Sequence, residues 1–395
     1  MLNSKTEALG IIFPNSYDAM VPDLVSERLM ASIPFASRYR MCDFILSSMV
    51  HSGIDNISII VRKNYHSLLD HLGAGREWDL VRKNGGLNIV PPFAQKQVKV
   101  FEGRIEALES LRGYLLKQPQ KYVIMTDANI AINFDFNEHV EYKEAKNNFD
   151  FNELLDAHIK SGADVTMMYR KQEIPKAFIR QSRDRMDLYY ALGMNGDRVS
   201  KIYINPTEEG EMNFSMNIYV VEREFLIHMI DDAYVHGHTY FVRDLLDKQI
   251  DRLDIRGFCY DGYVVNIHDT QSYFEENMRL LQEENLNALF SPNQIYTKIR
   301  DDNPTRYING SKAKNVMVAD GCVIEGEVEN SVLFRGVHVG KGAKVKNCVL
   351  MQDTVVEDNA SVEYVITDKN VRVTEGKSLT GNESYQVYVS KGQVV

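Results

Sequence analysis

The stretch VGKGAKVKNCVLMQDTVVEDNASV, residues 339–362, decides the fold of the C-terminal part of the chain. Apolar residues recur there at a spacing of six: Val339 and Val345, then Leu350, Val356 and Val362. The same spacing joins Val318 to Ile324 upstream. Between them stand the turn formers Asp320-Gly321, Gly340, Gly342 and Asp358-Asn359. A valine-rich six-residue period with no amphipathic helix is the pattern of a parallel β-helix of hexapeptide repeats. An ordinary valine-rich antiparallel sheet is the alternative this composition leaves open.

Upstream of the repeats the period changes. Short apolar runs (Leu9–Phe13, Ile57–Val61, Tyr122–Thr126, Val165–Tyr169, Asn217–Val221 and Tyr263–Ile267) alternate with amphipathic stretches. Runs this short and this continuously apolar predict strands covered on both faces. Arg40–His51 predicts a helix ended by Gly53, and Ile105–Gln118 a second stopped by Pro119. Asn152–Ser161 predicts a third, with Leu154, Leu155, His158 and Ile159 on one face. Strand–helix alternation implies crossover units and a mostly parallel, doubly wound (Rossmann-like) sheet, an α/β fold. The expected organisation is therefore an α/β domain over 1–290, a linker with Pro292 and Pro304 over 291–309, and a β-helix over 310–395.

Bulk properties narrow the function. The formal net charge of −10 argues against nucleic acid or an anionic membrane as partner. No apolar run approaches the ~20 residues needed to span a bilayer, and no basic-then-apolar leader opens the sequence, so a cytoplasmic protein is expected. The four cysteines, Cys42, Cys259, Cys322 and Cys348, are widely spaced and read as buried free thiols, with neither a zinc site nor a disulfide framework. His236-Gly237-His238 falls between two expected helices and reads as a surface turn. Arg180, Arg183 and Arg185 are interleaved with Asp184 and Asp187 and read as a solvated loop.

Several strings carry a resemblance. Arg40-Met41-Cys42-Asp43-Phe44-Ile45-Leu46-Ser47 followed by Ser52-Gly53-Ile54, and Ser215-Met216-Asn217-Ile218-Tyr219-Val220, are two of them. Phe241-Val242-Arg243-Asp244-Leu245-Leu246, Tyr273-Phe274-Glu275-Glu276-Asn277 and Asp320-Gly321-Cys322-Val323-Ile324 are the others. Together, collinear over nearly the whole chain, they resemble the RxxDFxLS…SGI, SMGIYVF, FxxDL, YWxAN and DGCVI segments of the glucose-1-phosphate adenylyltransferases (ADP-glucose pyrophosphorylases). That resemblance implies a nucleotidyltransferase domain followed by a left-handed parallel β-helix. It also implies a reaction, ATP plus α-D-glucose 1-phosphate giving ADP-glucose and pyrophosphate, by magnesium-assisted in-line attack on the α-phosphorus.

The departures are as informative as the matches. Where the active enzymes carry a GGxGTRL phosphate loop, this chain reads Pro14-Asn15-Ser16-Tyr17-Asp18-Ala19-Met20-Val21. Asn15, Ser16 and Asp18 replace the glycines and Met20 the arginine, so backbone donors and positive charge are both lost. The alternative is phosphate binding by another geometry. The family's lysine-proline aligns with Met30-Ala31, its sugar-phosphate lysine with Asn205, and one magnesium aspartate with Asn266. An amide is a poorer magnesium ligand than a carboxylate, although Asp269 lies close in sequence. Asp127 matches the family's other magnesium aspartate, at the strand end where open α/β sheets bind ligands; the plain alternative is a turn cap. Gly103-Arg104-Ile105-Glu106-Ala107 resembles, imperfectly, the nucleotide-contacting GTADA segment, so Gly103 and Glu106 join Asp127 as a possible residual nucleotide or metal pocket.

The resemblance thus implies a regulatory, non-catalytic member of the family, acting in glycogen biosynthesis within a heterotetramer whose catalytic subunit supplies the Mg²⁺ site. Arg28, Arg40 and Lys369 match the family's basic effector positions and are expected to bind an anionic sugar phosphate or phosphate. The alternative for the two arginines is a structural role. A weakly active nucleotidyltransferase in its own right is the alternative function.

Overall fold

The computed structural model describes residues 7–91, 103–133, 150–181, 189–208, 210–308 and 310–395. The chain packs as two compact units. The first comprises residues 1–17, 45–128 and 133–262; the second comprises 18–44, 129–132 and 263–395. The units do not follow the linear boundary near residue 290, because the segment Asp18–Phe44 packs with the C-terminal part.

The first unit is built on a nine-stranded sheet. Its strands are β1 (Ala8–Phe13), β2 (Asn56–Ile60), β3 (Gly86–Val90), β4 (Tyr122–Asp127), β5 (Val165–Glu173), β6 (Tyr190–Asn195), β7 (Arg198–Ile204), β8 (Glu211–Glu222) and β9 (Ile255–Cys259). They lie in the order β3-β2-β1-β4-β8-β5-β9-β7-β6. The first four neighbours are parallel; β8 runs against both β4 and β5, and β7 against β9 and β6. All strands but β7 and β8 therefore share one direction, as the strand–helix alternation predicts.

Burial follows position in the sheet. Central β1 is buried along its whole length, in keeping with its unbroken apolar run. Leu9, Ile11, Val123, Met125, Val165, Met167, Tyr219 and Val221 form the core with Leu108 and Leu111 of α2 (Arg104–Leu115) and Leu226 and Ile230 of α4 (Arg223–Val235). Helices α1 (Met41–His51) and α3 (Phe151–Ser161) lie within a residue of their expected starts. Asp150 caps α3, accepting the Glu153 N–H at 2.8 Å. The buried stripe of α3 is Phe151, Leu154, Leu155 and His158, whereas Ile159, about 90° round the helix from the centre of that stripe, is 40% exposed.

Two readings are corrected here. Tyr263–Ile267 is not a strand of the main sheet; only Val265–Asn266 is extended, paired with Ile130–Ala131 in the second unit. Its apolar character reflects burial of Val264, Val265 and Ile267, which periodicity cannot distinguish from a sheet strand. Cys259 is exposed at the end of β9, unlike the buried Cys42, Cys322 and Cys348.

In the second unit the repeats form a parallel β-helix with three strand columns. Partners on one face lie 17 residues apart (Arg306 with Val323, His338 with Val355, Val355 with Arg372) except at one shorter step of 15 (Val323 with His338). The column of Ile324, Val339 and Val356 points inward, with Val345, Leu350 and Val362 from the other faces. Corners are turned by left-handed residues in register: Asn315, Asn330 and Asn347 have φ of 51°, 44° and 50°. Asparagine tolerates this conformation better than other side chains, and the Asn315 amide donates to Asn330 Oδ1 at 3.0 Å. No helix among the described residues is long and apolar enough to cross a membrane.

Candidate functional site

In the first unit, the ends of β1 and β4 meet, with Phe13 paired to Asp127. Asp127 is fully buried. Arg104 Nη2 donates to both of its carboxylate oxygens, at 2.6 Å each, and Ser16 Oγ donates to Oδ1 at 2.6 Å. The Arg104 guanidinium lies over the rings of Phe13 (5.1 Å) and Tyr219 (5.8 Å). Burial works against the Arg104 charge, but Asp127 and the neighbouring tyrosines hold its pKa above the ordinary arginine value. Alongside runs a polar chain: Tyr219 O–H donates to Asn217 Oδ1 at 2.9 Å, and Asn217 Nδ2 donates to Tyr17 Oη at 2.7 Å. Burial, reinforced by Asp127, pushes the Tyr219 phenol to about 12, and Tyr17 is raised well above the usual phenol range for the same two reasons.

The replaced loop positions have structural roles of their own. Asn15 Oδ1 accepts the Arg62 N–H at 3.1 Å. Met20 and Met30, standing where the resemblance places cations, are 2% and 0% exposed. In the second unit, Asp18 Oδ1 accepts the Met30 N–H at 2.9 Å. Asn205, with φ 48°, closes the β6–β7 hairpin by exchanging hydrogen bonds with Tyr189: its N–H to Tyr189 O and its Oδ1 from Tyr189 N–H, both at 3.0 Å.

Asn266 and Asp269 lie in the second unit. Asn266 Oδ1 accepts from Asn129 Nδ2 at 3.0 Å. Asp269 is committed to capping α5 (Thr270–Arg279): it accepts the Ser272 N–H at 2.7 Å while Ser272 Oγ accepts the Asp269 N–H at 2.9 Å, a capping box. Asp269→Ala is expected to cost ~0.5–2 kcal/mol, read as a lowered denaturant midpoint, which a metal-ligand role would not produce in metal-free buffer. Gly103 N-caps α2, and a Cβ there would meet Thr239 O at 2.2 Å, so glycine is required by close approach. Glu106 stands in the first turn of α2, where its charge suits the helix dipole. His236-Gly237-His238 is a turn after α4, with Gly237 at φ 65°. Arg183, Asp184, Arg185 and Asp187 lie outside the described residues, as does the side chain of Arg180.

The three basic residues come together within the second unit. Lys369 is brought down to about 7, first by burial and then by the positive charges of Arg40 and Arg28. Arg28 is itself buried, with Nη2 donating to Asp368 Oδ1 at 2.6 Å and Nη1 to Leu24 O at 3.1 Å. Asp368 also accepts the Tyr388 O–H at 3.0 Å and the Lys369 N–H at 2.6 Å. Arg28 is thus held away from solvent by a carboxylate, whereas Arg40 and Lys369 are each partly exposed. The Arg40 N–H donates to Asp43 Oδ2 at 3.0 Å, so Asp43 caps α1 through the backbone of Arg40.

Sequence reasoning overlooked Arg104, Tyr17 and Asn217. Arg104 had a legible signal: a cation at the first residue of a helix opposes the macrodipole and asks for an anionic partner. Asn217 stands where the resembling SMGIYVF strand has glycine, and it takes φ 55° at an irregularity in β8.

Residues 23–283 match the nucleotidyl transferase family, and residues 299–388 match the GlmU-like C-terminal hexapeptide family. The chain therefore carries a nucleotidyltransferase domain followed by a hexapeptide-repeat domain. The glycogen biosynthesis protein GlgD of Bacillus subtilis (strain 168) is 32% identical over 392 residues, covering 98% of this chain and 97% of the relative. GlgD of Geobacillus stearothermophilus is 34% identical over 339 residues, covering 85% and 82%. The glucose-1-phosphate adenylyltransferase of the same organism is 29% identical over 353 residues, covering 87% and 84%. The chain belongs to the GlgD family and is related to the glucose-1-phosphate adenylyltransferases.

Proposed function

We propose that this protein acts in glycogen biosynthesis as a non-catalytic, regulatory subunit of glucose-1-phosphate adenylyltransferase. It works in the cytoplasm, in a heterotetramer with a catalytic homologue that supplies the Mg²⁺ site. The observation that carries this reading is the burial of Met20 and Met30 at positions where the resemblance calls for phosphate-binding cations. A triphosphate approaching such a loop finds no cation at either position. Asn205 and Asn266, each in a structural hydrogen bond, support it further. Losing one preorganised electrostatic group costs about 10²–10³ in rate, and several are lost here. An anionic sugar phosphate or inorganic phosphate binds at Arg40 and Lys369 and modulates the partner.

The test is turnover by the chain purified from a host lacking its own adenylyltransferase. With ATP, Mg²⁺ and glucose 1-phosphate, it is expected to run at least about a thousandfold below an ordinary rate of ~1–10³ s⁻¹. Mixing with the catalytic homologue is expected to give one co-eluting complex with an altered effector response. Ordinary turnover by the chain alone would establish the weakly active alternative, and separate elution with unchanged partner activity would remove the regulatory reading.

A further inference from the structure

A divalent cation at this fold's strand ends needs open carboxylate oxygens, and magnesium also keeps several waters around it. Asp127 does not meet that need. Arg104 Nη2 is equidistant, at 2.6 Å, from Oδ1 and Oδ2, which is the approach a cation shared by both oxygens would take. Ser16 Oγ accounts for a further acceptor site on Oδ1. The guanidinium is flanked by the faces of Phe13 and Tyr219, a slot suited to a weakly hydrated planar cation and hostile to a hydrated dication. About a fifth of the Arg104 side chain is exposed while Asp127 is sealed, so the arginine lies between the carboxylate and solvent.

We infer that Arg104 is a resident cation that takes the metal-facing side of Asp127, converting a metal-ligand position into an internal brace that excludes divalent ions. The charge is already balanced one to one, leaving no surplus for a dication. Through Asp127 the pair ties the end of β4 to the first residue of α2, and through Ser16 it fastens the loop that follows β1. The energetics favour retention of the whole set, because removing one partner of a buried pair leaves an uncompensated charge. This inference stands on its own geometry and does not require the regulatory reading. Its test involves neither a partner chain nor turnover, so either can fail without the other.

The experiment titrates Mn²⁺ into the full chain, with free Mn²⁺ read by electron paramagnetic resonance. The native protein and Asp127→Asn are expected to bind Mn²⁺ identically, through weak surface sites alone. Arg104→Ala uncovers the carboxylate and is expected to gain one site at least about tenfold tighter than any in the native protein, lost again in Arg104→Ala/Asp127→Asn. A native site abolished by Asp127→Asn overturns the inference, as does Arg104→Ala gaining none. Should a variant not fold, the native protein alone decides: selective paramagnetic broadening of the Ser16 and Asp127 amide resonances by Mn²⁺ overturns the inference, and its absence at millimolar Mn²⁺ supports it.

Discussion

Arg28→Met is expected to lower stability by about 3–5 kcal/mol, seen as a lowered denaturant midpoint for the C-terminal unit. Arg28 is 2% exposed and Asp368 fully buried, so the deletion strands a carboxylate in the interior. The remaining donors, the Tyr388 O–H and the Lys369 N–H, are neutral and cannot compensate for a missing charge. Asp368 leans further on Tyr388, whose phenol burial and the adjacent carboxylate together raise far above its usual range. Leu24 O would also lose its donor. Adding Asp368→Asn to Arg28→Met removes both charges, and stability should return toward the native value, since replacing a whole buried pair is often nearly neutral. A loss under about 1 kcal/mol for the single variant would show that the pair has little hold on the fold.

Residue patterns local in sequence were legible; those created by long-range closure were not. The hexapeptide period displays the β-helix because successive faces of a coil place an inward aliphatic side chain at a spacing of six, as Val339 and Val345 do. The helices α1 and α3 were equally plain, since their caps and apolar stripes lie within a few residues of one another. Strands β6 and β7 escaped because Tyr190–Asn195 and Arg198–Ile204 form an edge hairpin with polar residues interleaved, including exposed Arg198 and Lys201. Strands β3 and β9 escaped for a similar reason, since Gly86–Val90 and Ile255–Cys259 are only partly buried.

At the site, the loss of cations could be read directly, because Met20 and Met30 announce themselves by residue type. What replaced the lost chemistry could not. Arg104 and Asp127 are 23 positions apart and Arg28 and Asp368 are 340 apart, and neither pair shares a periodic context. The conflict inside the basic cluster, one arginine consumed by a carboxylate next to a lysine deprived of one, exists only in three dimensions.

At the proposed anion site, that conflict is expected to make binding pH-dependent in the physiological range. Lys369 sits at about 7 because burial removes solvent from its ammonium and Arg40, Arg28 and Lys391 repel it, with Asp368 only partly offsetting them. An unfolded lysine titrates near 10.4. Between about 7 and 10.4 the unfolded chain therefore binds more protons than the folded one, and this group makes stability rise with pH across that window. Below about 7 its destabilising effect is fully present. A bound dianion reverses the balance by favouring the charged ammonium. Sulfate is the suitable probe, since it does not titrate over this range whereas phosphate monoesters do, with a pKa near 6. Only the protonated fraction of Lys369 is competent for the charge-assisted contact, so apparent sulfate affinity should fall about thirtyfold between about pH 6 and about pH 8.5. Lys369→Met should bind sulfate more weakly at the lower pH and lose most of the pH dependence, while Arg40→Ala should weaken binding at both. In the same series, sulfate should raise the unfolding midpoint of the native chain more at pH 6 than at pH 8.5. A sulfate affinity that is flat with pH in the native protein, or unchanged in Lys369→Met, would remove Lys369 from the anion site.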